Sequence, residues 1–131
     1  MSLFDWLLLG HLAGDFLFQT DSMARHKPQN WPWLLGHVSL YMVTITVIIT
    51  AYGLSHTLPV WAPVTAWLFI FASHLILDRR SFTACWMRLV RASPDHPWLP
   101  IVVDQIFHLI TLAIVAQALA TVGSAGGGAA P

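Results

Sequence analysis

Four long apolar segments with few charges dominate the sequence and restrict what it can fold into. They cover residues 3–19, 33–54, 60–77 and 100–121. A helix needs roughly 20 apolar residues to cross the hydrocarbon core, and about 17 is the practical minimum. Backbone polar groups in lipid must be satisfied inside a helix or a closed barrel. Only 9% of the residues are charged, against about 25% in a soluble domain. The sequence therefore predicts an all-α, polytopic membrane helical bundle of about four transmembrane helices.

The remaining segments complete the predicted architecture. Residues 79–91 contain four arginines and are polar enough for a short interfacial helix. The apolar side of this helix would carry Trp86, Leu89 and Val90. Residues 123–131 are rich in Gly and Ala, a composition typical of a disordered tail. We therefore predict one transmembrane helical domain over residues 1–122, followed by the tail 123–131.

The basic residues predict an orientation in the membrane, because they lie in only two of the connecting segments. They are Arg25, Lys27, Arg79, Arg80, Arg88 and Arg91. Cytoplasmic loops carry an excess of Lys and Arg. We therefore expect the loops 20–32 and 79–99 to be cytoplasmic and both termini to lie on the opposite side. The formal net charge is zero, which gives no indication of a nucleic-acid partner.

Polar residues recur at a spacing of four inside the apolar segments. The pairs are His11 with Asp15, His74 with Asp78, and Asp104 with His108, and His37 lies near the start of the second segment. Side chains four apart lie on one face of a helix. In the expected topology all of these residues fall at one depth, in the cytoplasmic leaflet. An ionisable group at the bilayer centre costs about 3 kcal/mol, so such groups normally face the bundle interior and pair. We therefore expect one shared polar cluster.

Imidazole and carboxylate groups together are suitable ligands for a divalent metal ion. We predict zinc as the first choice of ion, with iron or manganese as alternatives. The predicted ligands are His11, His37, His74 and His108. The catalytic candidates are Asp15, Asp78 and Asp104, each as a ligand, an orienting group or a general base. The candidates for substrate binding or for supporting the ligands are Gln19, Gln105 and Arg79.

The order of these polar residues along the chain is itself informative. They occur in four separate pieces, at residues 10–20, at His37, at residues 74–79 and at residues 104–108. In this pattern the chain resembles a bacterial membrane family known as domain of unknown function 3307 (DUF3307), over about residues 5–115. The resemblance implies that the polar residues are the family's signature, and with the topology it implies a bacterial inner (plasma) membrane protein. It implies no activity or substrate. The pattern is also reminiscent of small membrane-bound, metal-dependent hydrolases.

Three functions remain open at this point, and whether the protein is an enzyme is one of the open questions. The first is a metal-dependent hydrolase acting on a lipid or other amphipathic substrate at the cytoplasmic face. The second is a non-enzymatic subunit of a larger membrane complex or of a homo-oligomer, in which a histidine could bind a pigment or haem. The third is an ion or proton transporter, which the single depth of the polar residues disfavours. All three share the lipid bilayer as a partner.

Overall fold

The computed structural model describes residues 1–56, 58–92 and 96–127. Within these residues the chain forms six α-helices and one π-helical turn, and no β-strand. The elements are α1 (Leu3–Leu12), the π-helical turn (Ala13–Leu17), α2 (Asp21–His26), α3 (Trp31–Ser55), α4 (Trp61–Asp78), α5 (Ser81–Leu89) and α6 (Leu99–Gly127). The fold class predicted from the sequence, an all-α bundle, is confirmed.

Three helices are long and apolar enough to cross a membrane. They are α3, α4 and the part of α6 over Leu99–Ala125, with 25, 18 and 27 residues. By this criterion the described residues contain three candidate spans, one fewer than the four that the sequence predicted. The first apolar segment forms α1 and the π-helical turn, which together cover about 22 Å at 1.5 Å per residue. The hydrocarbon core is about 30 Å thick, so this segment is shorter than a full membrane span.

The start of α1 is a capping box. The Ser2 hydroxyl accepts a hydrogen bond from the Asp5 backbone N–H at 3.2 Å, and the Asp5 carboxylate accepts one from the Ser2 N–H at 2.7 Å. This exchange satisfies backbone donors that the first helical turn leaves unpaired. At the other end, α1 widens into the π-helical turn that carries Asp15. Turns of this kind are rare and are frequent at functional sites.

The bundle is a ring of four elements, α1, α3, α4 and α6, each of which packs against two of the others. Both α1 and α4 pack against α3 and α6, while α2 contacts α3 and α5 contacts α4 and α6. The buried seams contain large apolar side chains, including Leu7, Leu34, Ile45, Ile70 and Leu112. The outer faces of the long helices are also apolar, with Val43, Leu68 and Ile114 all exposed. A helix that is apolar on every face is expected for a membrane span.

The predicted interfacial helix is present as α5, and its aromatic side faces α6. Phe82 and Trp86 both contact the ring of Phe107 edge-on, with centroid distances of 4.8 and 5.4 Å. Leu89 and Val90 are exposed. Residues 20–32, expected to be a loop, contain the short helix α2.

Two of the predicted segments extend beyond the described residues. Helix α6 continues through Gly127, so the first part of the expected tail is helical. Residues 128–131 of the tail and residues 93–95 of the loop 79–99 lie outside the described residues. The division into a domain and a tail stays a prediction.

Candidate metal centre

The polar residues of the four apolar segments meet at one end of the bundle. We call them the polar cluster: His11, Asp15, His37, His74, Asp78, Asp104 and His108. Each is at most 7% exposed. His11 lies in the last turn of α1 and Asp15 in the π-helical turn, while His74 and Asp78 lie near the end of α4. The early turns of α3 and α6 supply His37, Asp104 and His108. Antiparallel neighbours therefore bring the late residues of some helices beside the early residues of others.

The centre of the cluster is formed by Asp15, His74 and Asp78, which we call the central trio. The His74 Nε2 atom lies 3.4 Å from Asp15 Oδ1 and 3.2 Å from Asp78 Oδ2. His37 Nε2 completes a tetrahedron with these atoms, at 3.3 Å from Asp15 Oδ1, 3.0 Å from Asp78 Oδ2 and 3.2 Å from His74 Nε2. Nitrogen and oxygen ligands of a tetrahedral zinc ion, at about 2.0–2.1 Å from it, are about 3.3–3.4 Å apart. The spacing therefore matches that of zinc ligands.

Hydrogen bonding within the cluster does not account for all of these approaches. Among the described residues, Asp15 Oδ1 has no hydrogen-bond partner although two ring nitrogens lie within 3.4 Å of it. A buried carboxylate oxygen without a partner is costly in low dielectric. His37 Nε2 and His74 Nε2 each lie within 3.4 Å of both carboxylates, as the ligands of one cation do. A divalent ion fits this donor set of imidazole nitrogens and carboxylate oxygens.

His108 also lies beside the central trio, with its ring centroid 4.6 Å from that of His74. One ligand atom from each of Asp15, His74, Asp78 and His108 lies within 4.8 Å of the others. The Nδ1 atom of His108 is 2.9 Å from the Asp104 backbone carbonyl, so Nδ1–H donates and Nε2 carries the lone pair. That Nε2 is buried without a partner in the described part of the chain. The hydrogen bond from His108 Nδ1 to the Asp104 carbonyl therefore fixes the ring, as such bonds orient metal-binding histidines.

Lys27, which precedes α3, is buried with its ammonium group in the cluster. Its Nζ donates to Asp78 Oδ2 at 2.9 Å and to His37 Nε2 at 3.0 Å. The side chain is only 5% exposed. The sequence had indicated Lys27 only as a marker of orientation. Its role at the site was missed, and the one available signal was that it is the only lysine beside five arginines.

The charges of the buried residues do not balance. The buried carboxylates are those of Asp15, Asp78 and Asp104, and the buried permanently cationic group is that of Lys27. With the histidines neutral and the three carboxylates ionised, three negative charges face one positive charge among the buried groups of the described residues. Buried charges in proteins are normally paired or bound to metal. One divalent cation would neutralise the remaining two charges.

His11 and Gln105 form a bridge at the edge of the cluster. The His11 Nε2 atom is 3.0 Å from Gln105 Oε1, and Gln105 Nε2 donates to Asp15 Oδ2 at 3.2 Å. His11 itself is 3.8 Å from Asp15 Oδ2. Since an amide oxygen only accepts, His11 Nε2 carries a proton here and is not free to bind metal. In this arrangement His11 supports Asp15 through Gln105, and its role as a metal ligand stays a prediction.

Asp104 is turned away from the central trio towards α5. Its Oδ1 accepts a hydrogen bond from Thr83 Oγ1 at 3.0 Å, and its Oδ2 is 3.7 Å from His108 Nδ1. Thr83 is buried, and its spacing in the sequence gave no signal of this contact. Asp104 therefore contacts His108, which in turn approaches the central trio.

Two further predicted residues do not place their side chains in the central trio. Gln19 donates to the Asp15 backbone carbonyl at 2.9 Å and so holds the π-helical turn. The Arg79 guanidinium lies over the Trp31 ring, 4.5 Å from its centroid. A cation over an indole face is a stabilising contact near a membrane surface. The roles proposed for these side chains at the site stay predictions.

Tyr41 forms one wall of the site. Its ring stacks on His74 with centroids 3.7 Å apart and an interplanar angle of 11°. Gly14 permits this approach, because a Cβ atom there would lie 2.6 Å from Tyr41 Cδ2. The sequence reasoning missed Tyr41, although it lies four residues after His37 and so on the same face of α3.

A cavity of about 940 Å³ opens between α1, α3 and α6, but it lies towards the start of α1. Its walls are mainly apolar and include Phe4, Ile48 and Ala116, with Ser2 and Ser55 among its polar residues. None of its lining residues belongs to the polar cluster.

The helices and the cluster together define a helical membrane protein with a buried histidine and carboxylate site. The chain belongs to the family described as protein of unknown function (DUF3307), whose model matches residues 3–126. This confirms the resemblance noted in the sequence. No curated protein and no solved structure matches the chain.

Proposed function

We propose that this protein binds a divalent metal ion in the polar cluster and uses it to hydrolyse a lipid or other amphipathic substrate. The observation that carries the proposal is the proximity of ligand atoms of the central trio and His108, all within 4.8 Å of one another, while Asp15 Oδ1 lacks a partner among the described residues. The excess of buried negative charge supports a cation at the same place. Zinc is our first choice, because imidazole nitrogens and carboxylate oxygens are ligands that suit it, and iron and manganese are the alternatives.

The residues of the chain have distinct roles in this proposal. When bound, a divalent ion supplies Lewis-acid chemistry and makes water nucleophilic near neutral pH. Asp15, His74, Asp78 and His108 hold the ion. Asp104, held by Thr83 and 3.7 Å from His108 Nδ1, is the candidate orienting group for His108. Burial of all these groups excludes bulk water and strengthens their mutual electrostatic effects.

The location of the site also follows the distribution of charge. Both basic segments, before α3 and between α4 and α6, lie at the end of the bundle that holds the cluster. We propose that this end faces the cytoplasm and that the protein resides in a bacterial inner membrane, consistent with the positive-inside rule. A substrate would then reach the site from the headgroup layer of the cytoplasmic leaflet.

Metal content measures the central claim directly. We expect the detergent-purified protein to contain about one equivalent of divalent metal by plasma mass spectrometry, since deprotonated carboxylates and neutral imidazoles bind such ions. Asp15→Asn and His74→Asn should lower that content several-fold. Matched controls are Asp21→Asn and His96→Asn, which change the same residue types at exposed positions. Folded wild-type protein that stays free of metal after incubation with zinc, iron and manganese would refute the proposal. A visible absorption band would instead support a pigment or haem.

A non-enzymatic role is the second candidate, and the burial of the cluster favours it. Structural zinc sites are closed by four protein ligands, whereas catalytic sites keep an open position. Every residue of the cluster is at most 7% exposed, as in a site that only holds helices together within a complex. Cobalt substitution separates the two roles. A cobalt spectrum that changes on adding azide indicates an open position and hydrolysis, and an unresponsive four-coordinate spectrum indicates a structural site.

A further inference from the structure

The ammonium group of Lys27 lies where a metal ion would draw on the same ligand atoms. Its Nζ is 2.9 Å from Asp78 Oδ2 and 3.0 Å from His37 Nε2. Both acceptors belong to the tetrahedron formed with Asp15 and His74. Buried lysines are rare unless they are paired. This one is 5% exposed, so its position beside the central trio is built into the fold.

The chemistry of the two groups makes the competition direct at His37. An ammonium group has three donors and no acceptor, so its contact with His37 Nε2 requires the lone pair of that nitrogen. A ring nitrogen has one lone pair, and a metal ion needs the same one. Lys27 and a metal ion cannot both use it. At Asp78 Oδ2 the conflict is weaker, because a carboxylate oxygen has more than one lone pair.

The two histidines that flank the central trio therefore differ. His37 stands at zinc-ligand spacing from all three members of the trio, yet in the tautomer protonated at Nδ1 its Nε2 accepts a hydrogen bond from Lys27 at 3.0 Å. His108 has a free Nε2 in the described structure and lies within the 4.8 Å group. The closely spaced set that includes His37 is thus occupied by Lys27, and the more widely spaced set that includes His108 remains available to the ion.

We propose that Lys27 competes with the metal ion for His37 and Asp78, and so keeps the site weaker than its ligands would allow. This inference rests on the proposed metal site. It makes the ion exchangeable, with Asp15, His74, Asp78 and His108 as the ligands while Lys27 is in place. Among the described residues the same ammonium is the buried lysine charge next to the polar cluster, and it reduces the demand for a second ion.

Zinc affinity in four variants tests the competition. We would measure zinc binding to the wild type, Lys27→Met, His37→Asn and the double variant by competition with a chromophoric chelator in detergent. Lys27→Met retains most of the side-chain volume and removes the charge. We expect it to bind zinc at least about ten-fold more tightly, a difference of about 1.4 kcal/mol. Lys27→Arg, which retains a cation, is the matched control and should stay close to the wild type.

The double variant ties the gain to His37. We expect His37→Asn to change zinc affinity little in the wild type and to abolish the gain in the Lys27→Met background, which is a coupling that additive effects would not produce. Equal losses in both backgrounds would show that His37 binds the ion beside Lys27, and would overturn the proposal. So would a folded Lys27→Met variant whose affinity is unchanged or lower.

The remaining outcomes also decide between the claims. If the wild type binds no zinc, both the metal site and the competition are refuted. If the wild type binds zinc but Lys27→Met does not bind it more tightly, only the competition fails. Should Lys27→Met fold poorly, zinc added during purification is expected to rescue it, because the ion replaces the missing cation. Failure of that rescue would assign Lys27 a purely structural role and overturn the inference.

Discussion

Removal of the Asp78 charge should destabilise the protein far more than removal of an exposed carboxylate. Asp78 is 2% exposed, and its Oδ2 lies within 3.2 Å of Lys27 Nζ, His37 Nε2 and His74 Nε2. The substitution Asp78→Asn retains the shape of the side chain and removes the charge. It leaves the Lys27 ammonium buried among groups that no longer include its nearest anion.

The expected magnitude follows from the burial of the pair. Loss of one partner of a buried ion pair costs about 3–5 kcal/mol, because the other charge is left uncompensated. The matched control is Asp21→Asn, whose partner Arg25 lies 3.8 Å away with both side chains mostly exposed, at 96% and 76%. An exposed pair of this kind contributes about 0–1 kcal/mol. The two Asp→Asn substitutions should therefore differ by at least about 2 kcal/mol.

The assay is equilibrium unfolding in mixed micelles with increasing SDS, followed by circular dichroism. EDTA is present throughout, because a bound metal ion would add its own stabilisation to the folded state. The double variant Lys27→Met/Asp78→Asn should be more stable than Asp78→Asn alone, since it removes the uncompensated ammonium.

Two results would refute this reasoning. One is an Asp78→Asn variant that loses no more free energy of unfolding than Asp21→Asn. The other is a cost of Asp78→Asn that is as large in the Lys27→Met background as in the wild type. Either result would mean that the ammonium and the carboxylate do not stabilise each other in the folded protein.

Packing and orientation allow two further predictions. Gly14→Ala places a Cβ atom 2.6 Å from Tyr41 Cδ2 and 3.3 Å from the Tyr41 Cα. The overpacking should cost about 1–3 kcal/mol and lower the Tm. The control Gly36→Ala should not lower the Tm, because the nearest atom to its Cβ is 4.0 Å away. Equal Tm values for the two variants would contradict the close packing. Cys85 is exposed on α5, and a membrane-impermeant maleimide should label it in inside-out vesicles but not in intact spheroplasts. A cysteine at Ser55, in a Cys85→Ser background, should show the reverse, and labelling of Cys85 from outside would reject the proposed orientation.

The helical fold was predictable because its main determinant is local. Long apolar segments can satisfy their backbone in lipid only as helices, so composition and length indicated the class of fold directly. The number of spans was less secure, because it depends on a few residues at the segment ends. The first segment changes to π-helical geometry at Ala13 and ends at Leu17, and the sequence gave no local sign of that change.

The spacing of four residues predicted shared faces but not shared contacts. In α4 it brings His74 Nε2 and Asp78 Oδ2 to 3.2 Å. In α6 the same spacing leaves the Asp104 carboxylate bonded to Thr83, while the His108 ring contacts the Asp104 backbone. Rotamers set by neighbouring helices decide between these outcomes, and a single-helix pattern does not contain them.

By itself the sequence determined that the polar residues would share one end of a helical membrane bundle, because periodicity and charge bias act along the chain. Only the tertiary structure decided which atoms meet. It brought Lys27 from the segment before α3 to within 3.0 Å of His37 and Asp78, the latter 51 residues away. It also placed Gln105 between His11 and Asp15. Long-range contacts of this kind depend on how helices pack and on where excess charge can be neutralised, which no local pattern specifies.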